Sequence, residues 1–196
     1  MGQNAPFYIF TAFILAYAVG TLHMTRDLIL IAVLAASCVS LVSVPLWGHV
    51  SDRIGRRKMY LIGAAATVPF AFLYFAMVDT AIPWMVFTAA VLSLVPHDMQ
   101  YGPQAAMIAE AFTPRLRYSG SSLGYQLGAV IAGGPAPIIA TALLAAYHTS
   151  LAVAVYVAAC ALVSLASAAL MPDYTGKDIS MEYDGDRFGR VSTGPA

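Results

Sequence analysis

Charged side chains are scarce in this sequence. Only 10% of its 196 residues are charged, while 60% are hydrophobic. A soluble domain usually carries about 25% charged residues, so most of this surface is expected to face something other than water. The formal net charge is zero, which gives no sign of a nucleic-acid or acidic partner.

The sequence also has little of what metal or thiol chemistry needs. Its two cysteines, Cys38 and Cys160, both lie inside apolar runs, which is typical of small packing residues. No two histidines have the His-x-x-x-His spacing of a helical metal site. We therefore expect no metal, no cofactor and no enzymatic activity.

What the chain does have is long apolar runs. A bilayer core needs ~20 apolar residues in a helix, and six runs come close to this length: 6–22, 28–48, 59–78, 83–109, 119–145 and 151–171. A soluble helical core would alternate apolar and charged faces, yet residues 28–46 contain no charge. The sequence predicts an all-α membrane protein with a six-span domain over residues 1–171.

The basic residues predict an orientation for these spans. An even number of spans puts both termini on one side. That side also receives most lysines and arginines, namely those at positions 53, 56–58, 115, 117, 177, 187 and 190, whereas the other side receives only Arg26. Because positive loops stay inside, we expect both termini to be cytoplasmic in a cell-membrane protein. The polar segment 172–196 is predicted to be a disordered cytoplasmic tail.

The connection between the second and third spans carries the most distinctive motif, Gly48-His-Val-Ser-Asp52-Arg53-Ile-Gly55-Arg56-Arg57-Lys58. Gly48 would allow close helix approach and Gly55 a tight turn. Asp52 at the membrane edge could pair with a cation and hold a cytoplasmic gate closed. A simple topology anchor would need only the cations, so the glycines and the acid favour the gate.

This motif resembles the Gly-x-x-x-Asp-Arg-x-Gly-Arg-Arg loop of the major facilitator superfamily. A second segment, Glu110-Ala-Phe-Thr-Pro-Arg-Leu-Arg117, is similar to that family's Glu-x-Phe-Pro-x-x-x-Arg loop between spans ten and eleven. The stretches Arg117–Gln126, 133–135 and His97-Asp98-Met99 before Tyr101-Gly102-Pro103 resemble its metabolite:proton symporters, whose substrates include shikimate, 2-oxoglutarate and proline or betaine.

The resemblance implies spans seven to twelve of a twelve-span transporter: the C-terminal six-helix half, built as two three-helix repeats. Such proteins enclose a central cavity between two halves, so one half offers only one wall. Three alternatives stay open: a fragment of a longer protein, a split transporter with a separate N-terminal partner, or a homodimer. The family also implies that Asp52 and Arg53 act with Glu110 and Arg117 in gating, without saying which charges pair.

The fourth span holds the best candidates for coupling. A charged group deep in the bilayer is costly and is retained mainly where it faces protein or water. Asp98 is therefore a candidate proton carrier, with His97 as its relay. Helical spacing places His97, Tyr101 and Gln104 on one face, which predicts a cavity lining. The alternative is structural: His97 bonds a neighbouring helix, and Asp98 pairs with a cation or caps a broken turn.

The fifth span offers Tyr125 and Gln126, which could bond a polyhydroxy or carboxylate substrate, or equally a neighbouring helix. Three glycines four residues apart are typical of a surface on which a helix packs closely; they are Gly120, Gly124 and Gly128. The sequence Gly133-Gly134-Pro135 predicts a kink, either a hinge or a static bend.

Proton-driven uptake of a small polar metabolite is thus the leading hypothesis. A truncated, non-transporting membrane protein or assembly partner is the second. An intramembrane enzyme using His97, Asp98 and perhaps Glu110 is the remote third.

Overall fold

The computed structural model describes residues 3–112 and 115–171. Regular structure in these ranges is entirely helical. We number the helices α1 (Asn4–Gly20), α2 (Arg26–Ile54), α3 (Arg56–Val78), α4 (Pro83–Glu110), α5 (Arg117–Tyr147) and α6 (Ser150–Leu170). Each of the six apolar runs overlaps one of these helices, and the runs 6–22 and 151–171 extend one or two residues past the helix end. The predicted tail, residues 172–196, lies outside the described residues.

Four of the described helices are long and apolar enough to cross a membrane: α2, α3, α5 and α6. The other two differ in instructive ways. Helix α4 has the length but carries His97, Asp98 and Gln100 near its middle. Helix α1 rises only about 26 Å over Asn4–Gly20, which is less than the ~30 Å hydrocarbon core. The count of six spans therefore remains a prediction.

Helix α1 is interrupted by a π-helical turn over Ile9–Phe13. The hydroxyl of Tyr74 on α3 donates a hydrogen bond to the Phe10 carbonyl in this turn, at 3.2 Å. The rings of Phe10 and Tyr74 also pack with centroids 4.4 Å apart. A buried tyrosine hydroxyl needs a polar partner, and this turn of α1 supplies it.

The main core joins α1, α3 and α6, with smaller contributions from α2, α4 and α5. Small residues allow close approach here. A Cβ atom on Gly63 of α3 would lie 2.9 Å from the Met99 Cβ and 3.0 Å from the Pro96 carbonyl oxygen of α4. In lipid, helices associate largely through such close packing and interhelical hydrogen bonds. Helix α3 therefore packs closely on α4 and, on another side, on α6.

Polar contacts hold both ends of this core. At the end where α1 and α3 finish, Tyr17 and Ser150 both donate to the carboxylate of Asp79. At the opposite end, the Arg57 guanidinium donates to the Ala168 and Ala169 carbonyls in the last turn of α6. An arginine near a helix C-terminus satisfies carbonyls that have no partner within the helix. Three helices are thus pinned at one end and two at the other.

Helices α2 and α4 cross at two glycines, but the tight position is not the one that the motif suggested. A Cβ on Gly102 would lie 2.8 Å from the Gly48 nitrogen and 2.9 Å from the Val44 carbonyl oxygen. A Cβ on Gly48 would meet its nearest atom, the Gly102 carbonyl oxygen, only at 3.8 Å. The close approach predicted for Gly48 therefore depends on Gly102 instead.

Candidate functional site

Asp98 lies in the middle of α4 and only 1% of its surface is exposed. Its Oδ2 atom accepts hydrogen bonds from two serine hydroxyls of α2, from Ser40 at 2.7 Å and from Ser43. Its Oδ1 atom lies 2.9 Å from Nδ1 of His97. Asp98 thus ties α4 to α2 and is surrounded by groups able to donate.

His97 continues this network toward α1. Its Nε2 atom lies 2.9 Å from Nε2 of the Gln3 side chain, and both residues are buried. This arrangement holds the His97 ring between an amide and a carboxylate, with one polar neighbour at each ring nitrogen.

A cavity of about 620 Å³ opens beside this network. Its lining combines polar and aromatic side chains from α1, α2, α4 and α5 with a few aliphatic ones: Gln3, Asn4, Phe7, Tyr8, Ser37, Ser40, Leu41, Val44, Pro45, Leu94, His97, Asp98, Tyr101, Tyr125, Gln126 and Ala129. Such a size and mixture suit a small ligand. No lysine or arginine of the described chain belongs to this lining.

Aromatic rings form one wall of the cavity. The Phe7 ring packs on His97 with centroids 5.0 Å apart, and His97 stacks on Tyr101 at 5.6 Å. The predicted cavity residues Tyr125 and Gln126 come from α5 on the far side. The structure therefore brings five of the six predicted lining residues to a single cavity.

The sixth, Gln104, lies elsewhere. It lines a smaller cavity of about 180 Å³ between α3, α4, α5 and α6. Its buried Oε1 atom has no hydrogen-bond partner in the described chain. Asn4 and Tyr125 line both cavities, so these two residues mark the boundary between them. The helical face shared by His97, Tyr101 and Gln104 runs from one cavity to the next.

Three of the predicted gate residues, Asp52, Arg56 and Glu110, form an ion-pair cluster where α2 and α4 end and α3 begins. Arg56 lies 2.8 Å from Asp52 one turn away and also pairs with Glu110. The two acids differ in burial, because the side chain of Glu110 is 7% exposed and that of Asp52 is 54% exposed. Gly55 adopts a φ of 105° between α2 and α3, which favours glycine. The structure thus identifies pairs that the sequence left open.

The remaining cations of this region have other positions. Arg117 donates from Nε to the Ala109 carbonyl at 3.1 Å, near the end of α4. Arg57 holds the end of α6, as described above, and Arg53 is exposed. Arg56 pairs with both acids, and the expected grouping of Arg53 and Arg117 with Asp52 and Glu110 stays a prediction.

The glycine stripe of α5 differs from its predicted packing role. A Cβ on Gly120 would meet the Phe112 ring at 2.5 Å, and one on Gly124 would only touch that ring at 4.0 Å. A Cβ on Gly128 would find no atom of the described residues within 4 Å. The stripe packs on one aromatic ring at its start and then lines the smaller cavity, so it is not a helix-packing surface within the described chain.

The predicted kink is present. Helix α5 is broken between Ala132 and Ala136, where Gly133, Gly134 and Pro135 lie. A Cβ on Gly133 would lie 2.6 Å from Cε2 of Tyr8, because the Tyr8 ring of α1 packs into the break. A small residue is needed here for a packing reason as well as for the bend.

Two further patterns bear on catalysis. Gly120-Ser-Ser122-Leu-Gly124 fits the Gly-x-Ser-x-Gly pattern of serine hydrolases. That pattern requires a strand followed by a sharp turn, whereas here it lies inside the helix Arg117–Ala132. In the described ranges, no three His, Cys, Asp or Glu side chains are grouped so as to hold a metal ion.

Sequence reasoning missed Ser40, Ser43 and Gln3 as partners of the coupling pair. The signal was present as Ser37-x-x-Ser40-x-x-Ser43 in an otherwise apolar run. Residues three apart share a helix face, so this pattern could have marked a polar stripe on α2. Serines in apolar helices also bond their own backbone, which is why the pattern alone names no partner.

Comparison with known proteins places this site in a family context. The model of the Major Facilitator Superfamily matches residues 4–180. The chain is 36% identical over 168 residues to the shikimate transporter of Escherichia coli (strain K12), which covers 85% of this chain and 38% of that protein. It is 30% identical over 160 residues to the inner membrane metabolite transport protein YhjE of the same organism, covering 79% and 36%.

A third relative, the proline/betaine transporter of Escherichia coli (strain K12), is 23% identical over 179 residues, covering 91% of this chain and 36% of that protein. No solved structure matches the chain. The chain spans well under half the length of these curated relatives. Its apolar helices and the extent of the family match agree that it is a membrane protein, and the chain belongs to the major facilitator superfamily.

Proposed function

We propose that this chain forms one six-helix half of a secondary active transporter, which couples proton movement to the symport of a small polar metabolite or organic acid by alternating access. The observation that carries this proposal is the cavity of about 620 Å³ with the buried His97–Asp98 pair in its wall. The named relatives, a shikimate and a proline/betaine transporter, indicate the size and polarity of the expected substrate.

An acid in this position suits proton coupling. Asp98 is almost fully buried, yet its side chain reaches the cavity wall. A charged carboxylate at such depth is costly unless it is hydrogen-bonded or neutralised by a proton. If Asp98 takes up a proton when the cavity is open to one side of the membrane and releases it when the cavity is open to the other, it carries one proton per cycle.

The open flank of the cavity favours a second unit. Helices α2 and α5 border it, and Gln126 and Tyr101 are exposed there. Polar side chains facing acyl chains would be unfavourable, so we propose that another six-helix unit covers this side. That unit is an N-terminal half, in the same longer protein or in a separate chain, or a second copy of this chain.

In this proposal all six helices cross the cell membrane as two three-helix repeats, with both termini cytoplasmic. The cluster of Asp52, Arg56 and Glu110 then lies on the cytoplasmic side and ties the α2–α3 connection to the end of α4. We propose that this cluster closes the cytoplasmic gate and opens when the helices tilt. The relatives are transporters by name, and we propose no enzymatic activity.

The test is uptake into proteoliposomes under an imposed proton gradient. The chain is fused behind the first half of the Escherichia coli shikimate transporter, and labelled shikimate, proline and betaine are offered. Asp98→Asn should reduce accumulation to the level of empty liposomes while exchange of substrate without a gradient is partly retained. Ser93→Ala is the matched control, since Ser93 is buried on the same helix and bonds only its own-helix Ala90 carbonyl. Normal accumulation by Asp98→Asn would remove Asp98 from coupling.

The alternative is a membrane protein that assembles with a partner but does not transport. In that case neither the fused protein nor the chain alone would accumulate any of the three substrates above empty liposomes.

A further inference from the structure

The hydrogen bonds around Asp98 are arranged for the ionised form of its carboxyl group. Ser40 and Ser43 donate to one oxygen, and Nδ1 of His97 lies 2.9 Å from the other. No lysine or arginine of the described residues lines the adjoining cavity. A buried carboxylate without a cation depends on such donors, each of which favours its charged form.

Ser37 lies about one turn before Ser40 on α2 and forms no bond to Asp98 among the described contacts. Its hydroxyl donates to the Val33 carbonyl of its own helix at 2.9 Å. Serines in helices commonly take this position, bonding the carbonyl four residues back. Ser40 and Ser43 therefore have an alternative partner for their protons within α2, at no cost in unsatisfied groups.

Protonation of Oδ2, the oxygen that faces both serines, would force this alternative on one of them. A hydronium ion loses a proton to Oδ2: its O–H bond breaks, a new O–H bond forms on the carboxyl group, and a water molecule is left. The charge of the carboxyl group goes from −1 to 0. That oxygen then donates, so a serine facing it must turn its own proton away and accept. The bonds between α2 and α4 lose their charge-assisted character and are therefore weaker.

We propose that Ser40 and Ser43 are positioning residues that form a proton-sensitive latch, which ties α2 to α4 while Asp98 is ionised and loosens when Asp98 takes up a proton. The idea rests on the proposed function, for which it supplies a link between proton binding and helix movement. Helices α2 and α4 already cross closely at Gly102, so a loss of bonds one or two turns away acts on a tightly packed pair.

Other titratable groups face the same cavity. They are His97 and Tyr101 of α4, Tyr8 of α1 and Tyr125 of α5, whereas α2 brings serines and apolar side chains to the described lining. Tyrosines are neutral over the physiological range. His97 is therefore the one neighbour whose titration could be confused with that of Asp98, and the experiment must separate the two.

The latch can be tested on the chain alone, in lipid nanodiscs, by infrared titration of its protonated-carboxyl stretch. The band that is missing in Asp98→Asn reports Asp98 and is insensitive to an imidazole. In the variant Ser40→Ala/Ser43→Ala this band should persist to a pH at least about one unit higher than in the wild type, because the ionised form has lost two donors. Ser43→Thr, which keeps a hydroxyl, should stay close to the wild type, as should Ser93→Ala.

An unchanged midpoint in the double variant, or a shift to lower pH, would overturn the latch. If the double variant does not fold, the single variants Ser40→Ala and Ser43→Ala are measured instead. Each should raise, by a smaller amount, the pH at which half of the Asp98 band is lost. If neither variant raises this pH, the latch is likewise overturned. A wild-type assembly without proton-driven uptake would count against the proposed function only, since the infrared titration requires no transport.

Discussion

The two sides of this molecule are built differently. In the most apolar stretches of α3 and α6, 39% of the residues are buried, compared with 17% in those of α2 and α5. On the packed side, formed by α3 and α6, polar groups pair with each other, as Tyr60 and Ser164 do at 2.7 Å. On the open side, formed by α2 and α5, polar groups look into a cavity.

Exposed apolar residues do not show whether a face contacts lipid or protein, because lipid covers apolar surfaces without penalty. The polar groups on each face distinguish the two cases. A packed side with internally satisfied hydroxyls can face lipid, whereas a side with a polar cavity needs water or another protein. The comparison therefore separates a surface that can face lipid from the surface on which we propose that a second unit packs.

The largest effect should come from the same substitution made on the two sides. Gly63→Ala places a methyl group 2.9–3.0 Å from atoms of α4, including the Pro96 carbonyl oxygen. We expect it to lower the free energy of unfolding by about 1–3 kcal/mol, a typical result of overpacking. Gly128→Ala meets no atom of the described residues within 4 Å and should be neutral or gain up to ~1 kcal/mol from helix propensity.

Unfolding of the purified chain in mixed micelles, followed by circular dichroism, measures both values. Equal losses in the two variants would mean that the open side is packed in the protein as it exists, and the comparison would fail.

A smaller difference in the free energy of unfolding should separate substitutions of the two acids that share Arg56. Glu110→Gln leaves the arginine without its more buried partner, and we expect a loss of about 1–3 kcal/mol in the free energy of unfolding. Asp52→Asn removes an exposed pair between residues one helical turn apart and should cost less than about 0.5 kcal/mol. In the fused transporter, Asp52→Asn should instead slow turnover with little change in substrate affinity.

The same unfolding assay and an uptake time course decide between these outcomes. A normal transport rate in Asp52→Asn would contradict a gating role, and a loss of stability equal to that of Glu110→Gln would contradict the difference in burial.

Much of this architecture could be read from the sequence because its signals are local. Long uncharged runs predict helices, and a polar pair such as His97-Asp98 inside an apolar run predicts a position beside protein or water. The kink at Gly133-Gly134-Pro135 follows from the same kind of local chemistry.

Contacts between distant segments could not be read in this way. The sequence shows that Gly48 and Gly102 are small, but only the crossing of α2 and α4 shows that Gly102 is the tight one. Likewise, nothing local says that Ser40 and Ser43 turn toward Asp98 rather than toward their own helix, or that Gly128 faces a cavity. These are properties of neighbours that lie tens of residues apart in the chain.

The central claim is that the cavity between α2 and α5 contains water and is completed by a second unit. Thiol labelling tests it most directly, after Cys38 and Cys160 are replaced by alanine. In the chain alone, in nanodiscs, Gln126→Cys should react with a charged, membrane-impermeant thiol reagent, and Leu162→Cys on the packed side should not. In the fused transporter, the reaction at Gln126→Cys should slow strongly when substrate is added. Equal resistance of both cysteines to the reagent would show that lipid, not water, fills the groove, and would contradict the account.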